Sequence, residues 1–156
     1  MNGLHCLVDV SRCTKEEFLT EVTPWLDVVA TALAKHNFTQ VGFSTHAFSG
    51  EPILDGPEPQ CGFTCTWLLA ESHIALHTWP ETQSYTLDAY VCNYSNNNEE
   101  AVRSLVLDLL FASGAKEHYV QWAWRGDRPL VLDDQGGEHG VWYRGERELV
   151  THSSYQ

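Results

Sequence analysis

The chain has 156 residues, 43% of them hydrophobic, and a formal net charge of −12, enough apolar side chain for one compact core and too little length for a second full domain. Its nine Lys and Arg are too few for a surface built to hold a phosphate backbone, which sets nucleic acid aside as a partner. Met1 to Val8 carry no basic segment leading into an apolar run, and no stretch long enough to cross a bilayer is uniformly apolar, so neither secretion nor a membrane span is expected and the cytoplasm is the expected compartment.

Leu4 to Val10 reads as a strand, and Cys13-Thr14 followed by Glu16 and Glu17 opens a helix with acidic residues near its positive end. Phe18, Leu19, Val22, Leu26, Val29, Ala30 and Leu33 recur at roughly helical spacing and carry that helix to about Lys35, with a bend expected at Pro24. Thr39 to Ser49 reads as the next strand. Gly50 to Gln60, with Pro52, Pro57 and Pro59, is a loop that cannot enter a sheet interior. Strand-like runs follow at Phe63 to Ala70, Ile74 to Trp79 and Tyr85 to Cys92.

Asn96 to Asn98 can cap a second helix, Glu99 to Ser113, with Ala101, Leu105, Leu109 and Ala112 on one side and Gly114 ending it. His118 to Trp124 alternates as a strand. Beyond Asp127 the chain is rich in Gly and charge, with a hairpin expected from Val141 to Thr151. The order of elements predicts a two-layer α+β sandwich, with two helices on one face of a mostly antiparallel sheet. The bare sheet face needs cover, which a second copy of the subunit would supply. Cys6, Cys13, Cys61, Cys65 and Cys92 are odd in number and contain no C-x-x-C pair, a pattern of reduced thiols rather than of a disulfide framework.

The informative stretch is Leu68 to Glu81, LLAESHIALHTWPE. It places a hydroxyl, imidazoles and carboxylates in a run that otherwise reads as buried strand, where polar groups cost free energy unless satisfied or used. Three readings of these residues stay open. In the first, Ser72 and His73 occupy a turn and His77 is a hydrogen-bonded core histidine. In the second, Cys61, Cys65, His73 and His77 echo a zinc ligand set. On a strand, however, His73 and His77 would stand about 13 Å apart, too far to share an ion, and no metal is expected. In the third, Ser72 is a nucleophile with His77 as base, but no G-x-S-x-G elbow surrounds it.

LLAESHIALHTWPE, followed by Asp88 and Cys92, resembles the processing and active-site segment of bacterial and archaeal S-adenosylmethionine decarboxylase proenzymes. The likeness extends more loosely from Leu4 to Gly126 and takes in His46-x-Phe48 and the Arg125-Gly126 pair. The resemblance implies a decarboxylase domain over residues 1–126 and a C-terminal extension over 127–156. It also implies a chain that cuts itself between Glu71 and Ser72, with Ser72 converted to a pyruvoyl group. That group is the electron sink that ordinary side chains lack for breaking a bond to a carboxylate.

By the same resemblance His77 assists the elimination, Thr64 steadies the ester step, and Cys92, twenty residues after Ser72, returns a proton to the substrate carbon. Phe48 and Glu81 match positions that contact substrate: an aromatic face suits a sulfonium-bearing adenosine and a carboxylate suits ribose hydroxyls. The implied substrate is S-adenosylmethionine, the implied product the aminopropyl donor for spermidine synthesis, and the implied assembly a homodimer of cleaved units. Ornithine or arginine is the alternative substrate, and a non-catalytic regulatory homologue the alternative role.

The match has departures. The chain inserts a segment that includes Pro52 to Cys61, Cys65 replaces a small residue after Thr64, and Ala75 stands where Ser or Thr is frequent. Val141 to Gln156 faintly resembles the opening of spermidine synthases.

Overall fold

Side chains alternate between the two sides of a strand, and here that alternation gives the sheet one covered and one open face. The computed structural model describes residues 2–48, 61–93, 97–126, 140–144 and 149–150. In chain order the elements are β1 (Asn2–Cys13), α1 (Glu17–Thr20), α2 (Thr23–Lys35), β2 (Gln40–Ala47), β3 (Phe63–Leu69), β4 (Ser72–Trp79), a 3-10 turn (Pro80–Thr82), β5 (Ser84–Cys92), α3 (Glu99–Ser113), β6 (Ala115–Gly126), β7 (Gly140–Arg144) and β8 (Leu149–Val150). Among the described residues all eight strands join one sheet in the order β2-β3-β4-β5-β1-β6-β7-β8. Every neighbouring pair is antiparallel.

The covered face carries Leu4, Cys6, Val8 and Val10 of β1, Phe63, Cys65, Trp67 and Leu69 of β3, Ile74 and Leu76 of β4, and Tyr85, Leu87, Ala89 and Val91 of β5, all buried. Trp25, Val29, Ala32 and Leu33 of α2 and Val102, Leu105, Val106, Leu109 and Leu110 of α3 complete the same cluster. Each Val, Leu, Ile or Phe among them contributes about 1.5–3 kcal/mol by leaving water. A surface ion pair such as Lys35 with Asp108, 2.6 Å apart between α2 and α3, contributes at most about 1 kcal/mol. The apolar layer therefore decides the fold, and its polar members are paired. The Trp25 indole N–H donates to the Phe18 carbonyl at 2.6 Å, and the Tyr85 and Ser113 hydroxyls meet at 2.7 Å. The Thr78 hydroxyl donates to the Leu19 carbonyl at 2.9 Å, which ties β4 to the helix layer.

Two local expectations change. The helix expected from Cys13 through Pro24 to Lys35 is two helices. β1 runs on to Cys13, α1 is one turn, and Glu21 is extended (φ −127°, ψ 139°) before α2 begins. Pro24 does not bend a continuous helix; it occupies the first turn of a new one, where its missing N–H leaves nothing unsatisfied. The cap expected of Asn96 to Asn98 also differs. Asn96 lies outside the described residues, Asn97 Oδ1 accepts the Glu99 N–H at 3.1 Å, and the Asn98 side chain turns away to Cys92.

Gly114 ends α3 as expected, the expected hairpin after Val141 takes the form of β7 and β8, and β6 begins at Ala115, ahead of His118. The Gly50 to Gln60 loop lies outside the described residues.

Gly62, just before β3, fixes how closely that strand approaches the end of β4. A Cβ there would stand 2.1 Å from the Thr78 carbonyl oxygen, so Gly62→Ala must push two paired backbones apart. We expect that substitution to lower stability by about 2–3 kcal/mol, measured by urea unfolding; an unchanged midpoint would refute the constraint.

Candidate active site

β3 and β4 are joined by a two-residue turn, Ala70-Glu71, with Leu69 paired to Ser72. Both turn residues are exposed, so the Glu71–Ser72 peptide bond sits at an accessible hairpin tip while Ser72 itself begins a strand. The β4–β5 register pairs His73 with Tyr90 and would next set Glu71 opposite Cys92. Glu71 has already entered the turn, and the Cys92 N–H donates to Ser72 Oγ at 3.1 Å. The Cys92 carbonyl accepts from Asn98 Nδ2 at 2.9 Å. The end of β5 is thus held by side chains where the ladder stops.

Cys92 is 3% exposed and follows the open-face alternation of Thr86, Asp88 and Tyr90. Its partner in β1 is Gly3, which in turn pairs with Arg125 of β6. A Cβ on Gly3 would meet the Tyr90 ring at 2.7 Å; the missing side chain lets that ring lean over β1, and the Arg125 guanidinium stands 4.9 Å from its centre. Beside them His5 is 3.6 Å from Asp88 and 6.2 Å, edge to face, from His73. Burial holds the His5 imidazole below its usual range, Asp88 opposes that shift, and Arg125 and His73 reinforce it. Ser72, Cys92, Tyr90 and Arg125 therefore gather at one end of the sheet, at the β3–β4 hairpin tip, with Ser72 reached through the Cys92 backbone.

A second group lies at the other end of β4. Thr64 and His77 are direct ladder partners, and the Thr64 hydroxyl is in hydrogen-bond contact with His77 Nδ1. The same hydroxyl donates to the Leu76 carbonyl at 3.1 Å. A hydroxyl has one proton to give, so the hydrogen-bond pattern assigns the proton of the His77 contact to Nδ1 and leaves the lone pair on Nε2. His46, opposite Thr64 on β2, stands 5.5 Å edge-on from Phe48, and Trp79 tilts over His77 at 6.2 Å. Phe48 and Trp79 are 46% and 40% exposed, and exposed Glu81 follows in the 3-10 turn.

Trp79 is the residue that sequence reasoning left out. Its signal is its place within HTWPE, two residues beyond His77 on the same side of the strand.

These two groups do not meet within one chain. Ser72 and His77 are five residues apart on β4, about 16 Å along the strand, and an odd spacing sends their side chains to opposite sides. The residues of the zinc reading do not converge either. Cys65 is buried on the helix-covered face, where burial pushes its thiol up to about 12, while His73 and His77 follow the open-face alternation. The insertion after Phe48 falls largely on residues outside the description.

The family described as S-adenosylmethionine decarboxylase matches residues 4–126. The chain belongs to the S-adenosylmethionine decarboxylase family. A relative named S-adenosylmethionine decarboxylase proenzyme from Parasynechococcus marenigrum is 33% identical over 134 residues, 86% of this chain and 92% of the relative. A second of that name from Prochlorococcus marinus is 32% identical over 132 residues, 85% of this chain and 93% of the relative. The crystal structure of the adenosylmethionine decarboxylase from Aquifex aeolicus shares the fold, with a TM-score of 0.62 at 24% identity over 84% of this chain and 96% of that one. The S-adenosylmethionine decarboxylase match ends at residue 126, whereas β7 and β8 lie beyond it and extend the sheet from β6. No described helix is long and apolar enough to cross a membrane.

Proposed function

We propose that this chain is a self-processing decarboxylase that acts on S-adenosylmethionine with a pyruvoyl group made from Ser72, and that it works as a homodimer. The observation that carries the reading is the Glu71–Ser72 bond at an exposed two-residue turn, with Ser72 Oγ already held by the Cys92 N–H. Family membership over residues 4–126 supports the substrate. In self-cleavage Ser72 Oγ attacks the Glu71 carbonyl, its proton passes to the departing amide nitrogen, and an ester forms. Loss of the Ser72 α-proton to a base then expels the ester oxygen, and hydrolysis of the resulting enamine releases ammonia. Residues 1–71 and 72–156 become separate chains.

The fit of a pyruvoyl group rests on the place of its precursor: Ser72 opens β4 directly after the exposed turn, so after cleavage it becomes a chain terminus at the hairpin tip. When present, that group supplies a carbonyl sink for the electrons left by carbon dioxide. The surrounding residues bind, orient and move protons. His77 Nε2 is the base for the elimination, with Thr64 holding the ring in its tautomer. Cys92 Sγ, buried beside Ser72, returns the proton to the substrate carbon. Phe48 offers an aromatic face to the sulfonium nucleoside and Glu81 a carboxylate to its ribose hydroxyls.

Because Ser72 and His77 are far apart in one chain, a second copy, packed open face to open face and reversed, brings His77 and Thr64 to the hairpin end of its partner, where Ser72 and Cys92 lie at the margin of the sheet. Leu68, 52% exposed on that face, gains cover in the same step. Residues 1–126 form the catalytic unit and 127–156 an appended extension. The product is the aminopropyl donor for spermidine synthesis, made in the cytoplasm.

The test is carbon dioxide release from carboxyl-labelled S-adenosylmethionine, ornithine and arginine side by side. Release from the first alone is expected; release from either amino acid instead, or one uncut band near 17.6 kDa with no release at all, overturns the reading. Cys92→Ala should cleave normally yet lose about 10²–10⁴-fold in kcat. Normal turnover in that variant would remove the thiol from the mechanism.

A further inference from the structure

We propose that the backbone N–H of Cys92 acts in self-cleavage, first orienting Ser72 Oγ and then stabilising the negative charge on that same oxygen as it departs in the Glu71 carboxylate. This rests on the pyruvoyl reading above and adds to it a donor that no side-chain substitution removes. The ladder runs regularly from Trp79↔Ser84 to His73↔Tyr90, and a further rung would give the Cys92 N–H to the carbonyl of Glu71. The turn at Ala70-Glu71 takes that residue out of the strand, and the N–H goes to Ser72 Oγ at 3.1 Å instead. The Cys92 carbonyl is anchored on the same edge by Asn98 Nδ2 at 2.9 Å, and the Asn98 N–H by Asn93 Oδ1 at 2.9 Å. The donor is therefore fixed before reaction, which is what allows a dipole to act without reorganising.

One oxygen carries the chemistry through every step. Donation to Oγ leaves the hydroxyl proton free to be removed and favours the alkoxide that attacks the Glu71 carbonyl. In the ester the same oxygen bridges the Glu71 acyl carbon and Ser72 Cβ. When a base takes the Ser72 α-proton, the Cα–Cβ double bond forms, the Cβ–Oγ bond breaks, and its electron pair stays on Oγ, now part of the new carboxylate of residue 71. A charged acceptor takes a stronger hydrogen bond than a neutral one, so the Cys92 N–H stabilises this product side of the step more than the resting hydroxyl. The thiol and the amide of one residue thus serve different reactions, Sγ in turnover and N–H in maturation.

The experiment replaces the amide at position 92 by a backbone ester. The full chain is synthesised in a cell-free system with lactic acid at position 92, against Cys92→Ala with its ordinary amide. Cleavage is followed on denaturing gels, and the Glu71–Ser72 ester is trapped with hydroxylamine. The depsipeptide should cleave about a hundredfold more slowly and accumulate hydroxylamine-sensitive ester, while a backbone ester at Tyr90, one rung back opposite His73, should cleave at the control rate. Equal rates at 92 and in the amide control overturn the inference, as does a Tyr90 ester that is equally slow. Failure of the all-amide chain to cleave overturns the pyruvoyl reading itself and this inference with it. Amide exchange provides a check that does not depend on folding of the ester. The Cys92 N–H should be at least about tenfold better protected in the uncut His77→Ala chain, which keeps Ser72, than in Ser72→Ala; equal protection would remove the hydrogen bond on which the inference stands.

Discussion

Ser72→Ala should persist as a single chain near 17.6 kDa under conditions in which the parent separates into residues 1–71 and 72–156, and it should release no carbon dioxide. Glu71 and His73 flank Ser72, and neither carries a hydroxyl that could form the ester in its place. The structural effect is modest by comparison. Removing Oγ deprives the Cys92 N–H of its acceptor, a loss of about 1–3 kcal/mol for a buried donor, against a covered sheet face and helix layer that remain intact. A folded, uncut and inactive protein is therefore the expected outcome, with its unfolding midpoint only slightly lowered. Mass spectrometry of the parent should find residue 72 without its amino group. An unmodified serine there, in a preparation that decarboxylates, would sink the mechanism.

Ser72→Ala and His77→Ala, each uncleaved alone, should restore processing when refolded together. The geometry of β4 makes the case: about 16 Å of strand and an odd residue spacing separate the two side chains, so neither reaches the other within a chain. In a mixed dimer the His77→Ala subunit still offers Ser72, and its partner still offers His77. Random pairing places about half of the His77→Ala chains in such dimers, and that fraction should cleave while the Ser72→Ala chains stay whole. Purified mixed dimers in which nothing is cut would show that Ser72 does not use the partner's imidazole. The rescue has a built-in control, because Thr64→Val should behave as His77→Ala does in the same pairing, weaker by the loss of one tautomer-fixing contact.

The strands were readable because most of them alternate one buried and one polar side chain, as in Tyr85 to Cys92, and that period survives into the structure. α3 was readable for the corresponding reason, an apolar stripe ended by Gly114. The break at Glu21 was not, because Phe18 and Leu26 satisfy a helical period whether or not the helix is continuous. The deciding contact, the Trp25 indole on the Phe18 carbonyl, folds the chain back on itself and leaves no periodic trace. For the candidate site, motif spacing pointed to Ser72, His77 and Cys92 without indicating which of them meet. The side-chain periodicity of β4 sends Ser72 and His77 apart, and the turn at Ala70-Glu71 brings Ser72 to Cys92, a pairing that depends on the register of β4 against β5. Asn98 was read as a helix cap because its type suits one; its amide serves the end of β5 instead, since that carbonyl has run out of strand.

β7 pairs with β6 from Glu117↔Arg144 to Gln121↔Gly140, and this has a consequence for colloidal behaviour rather than for chemistry. Without it the outer side of β6 would offer a row of unshared amides and carbonyls, the template on which strands of neighbouring molecules add without limit. The appended strand occupies that row and passes the edge position at this end of the sheet to the two-residue β8, and so short an edge is a poor template for a further chain.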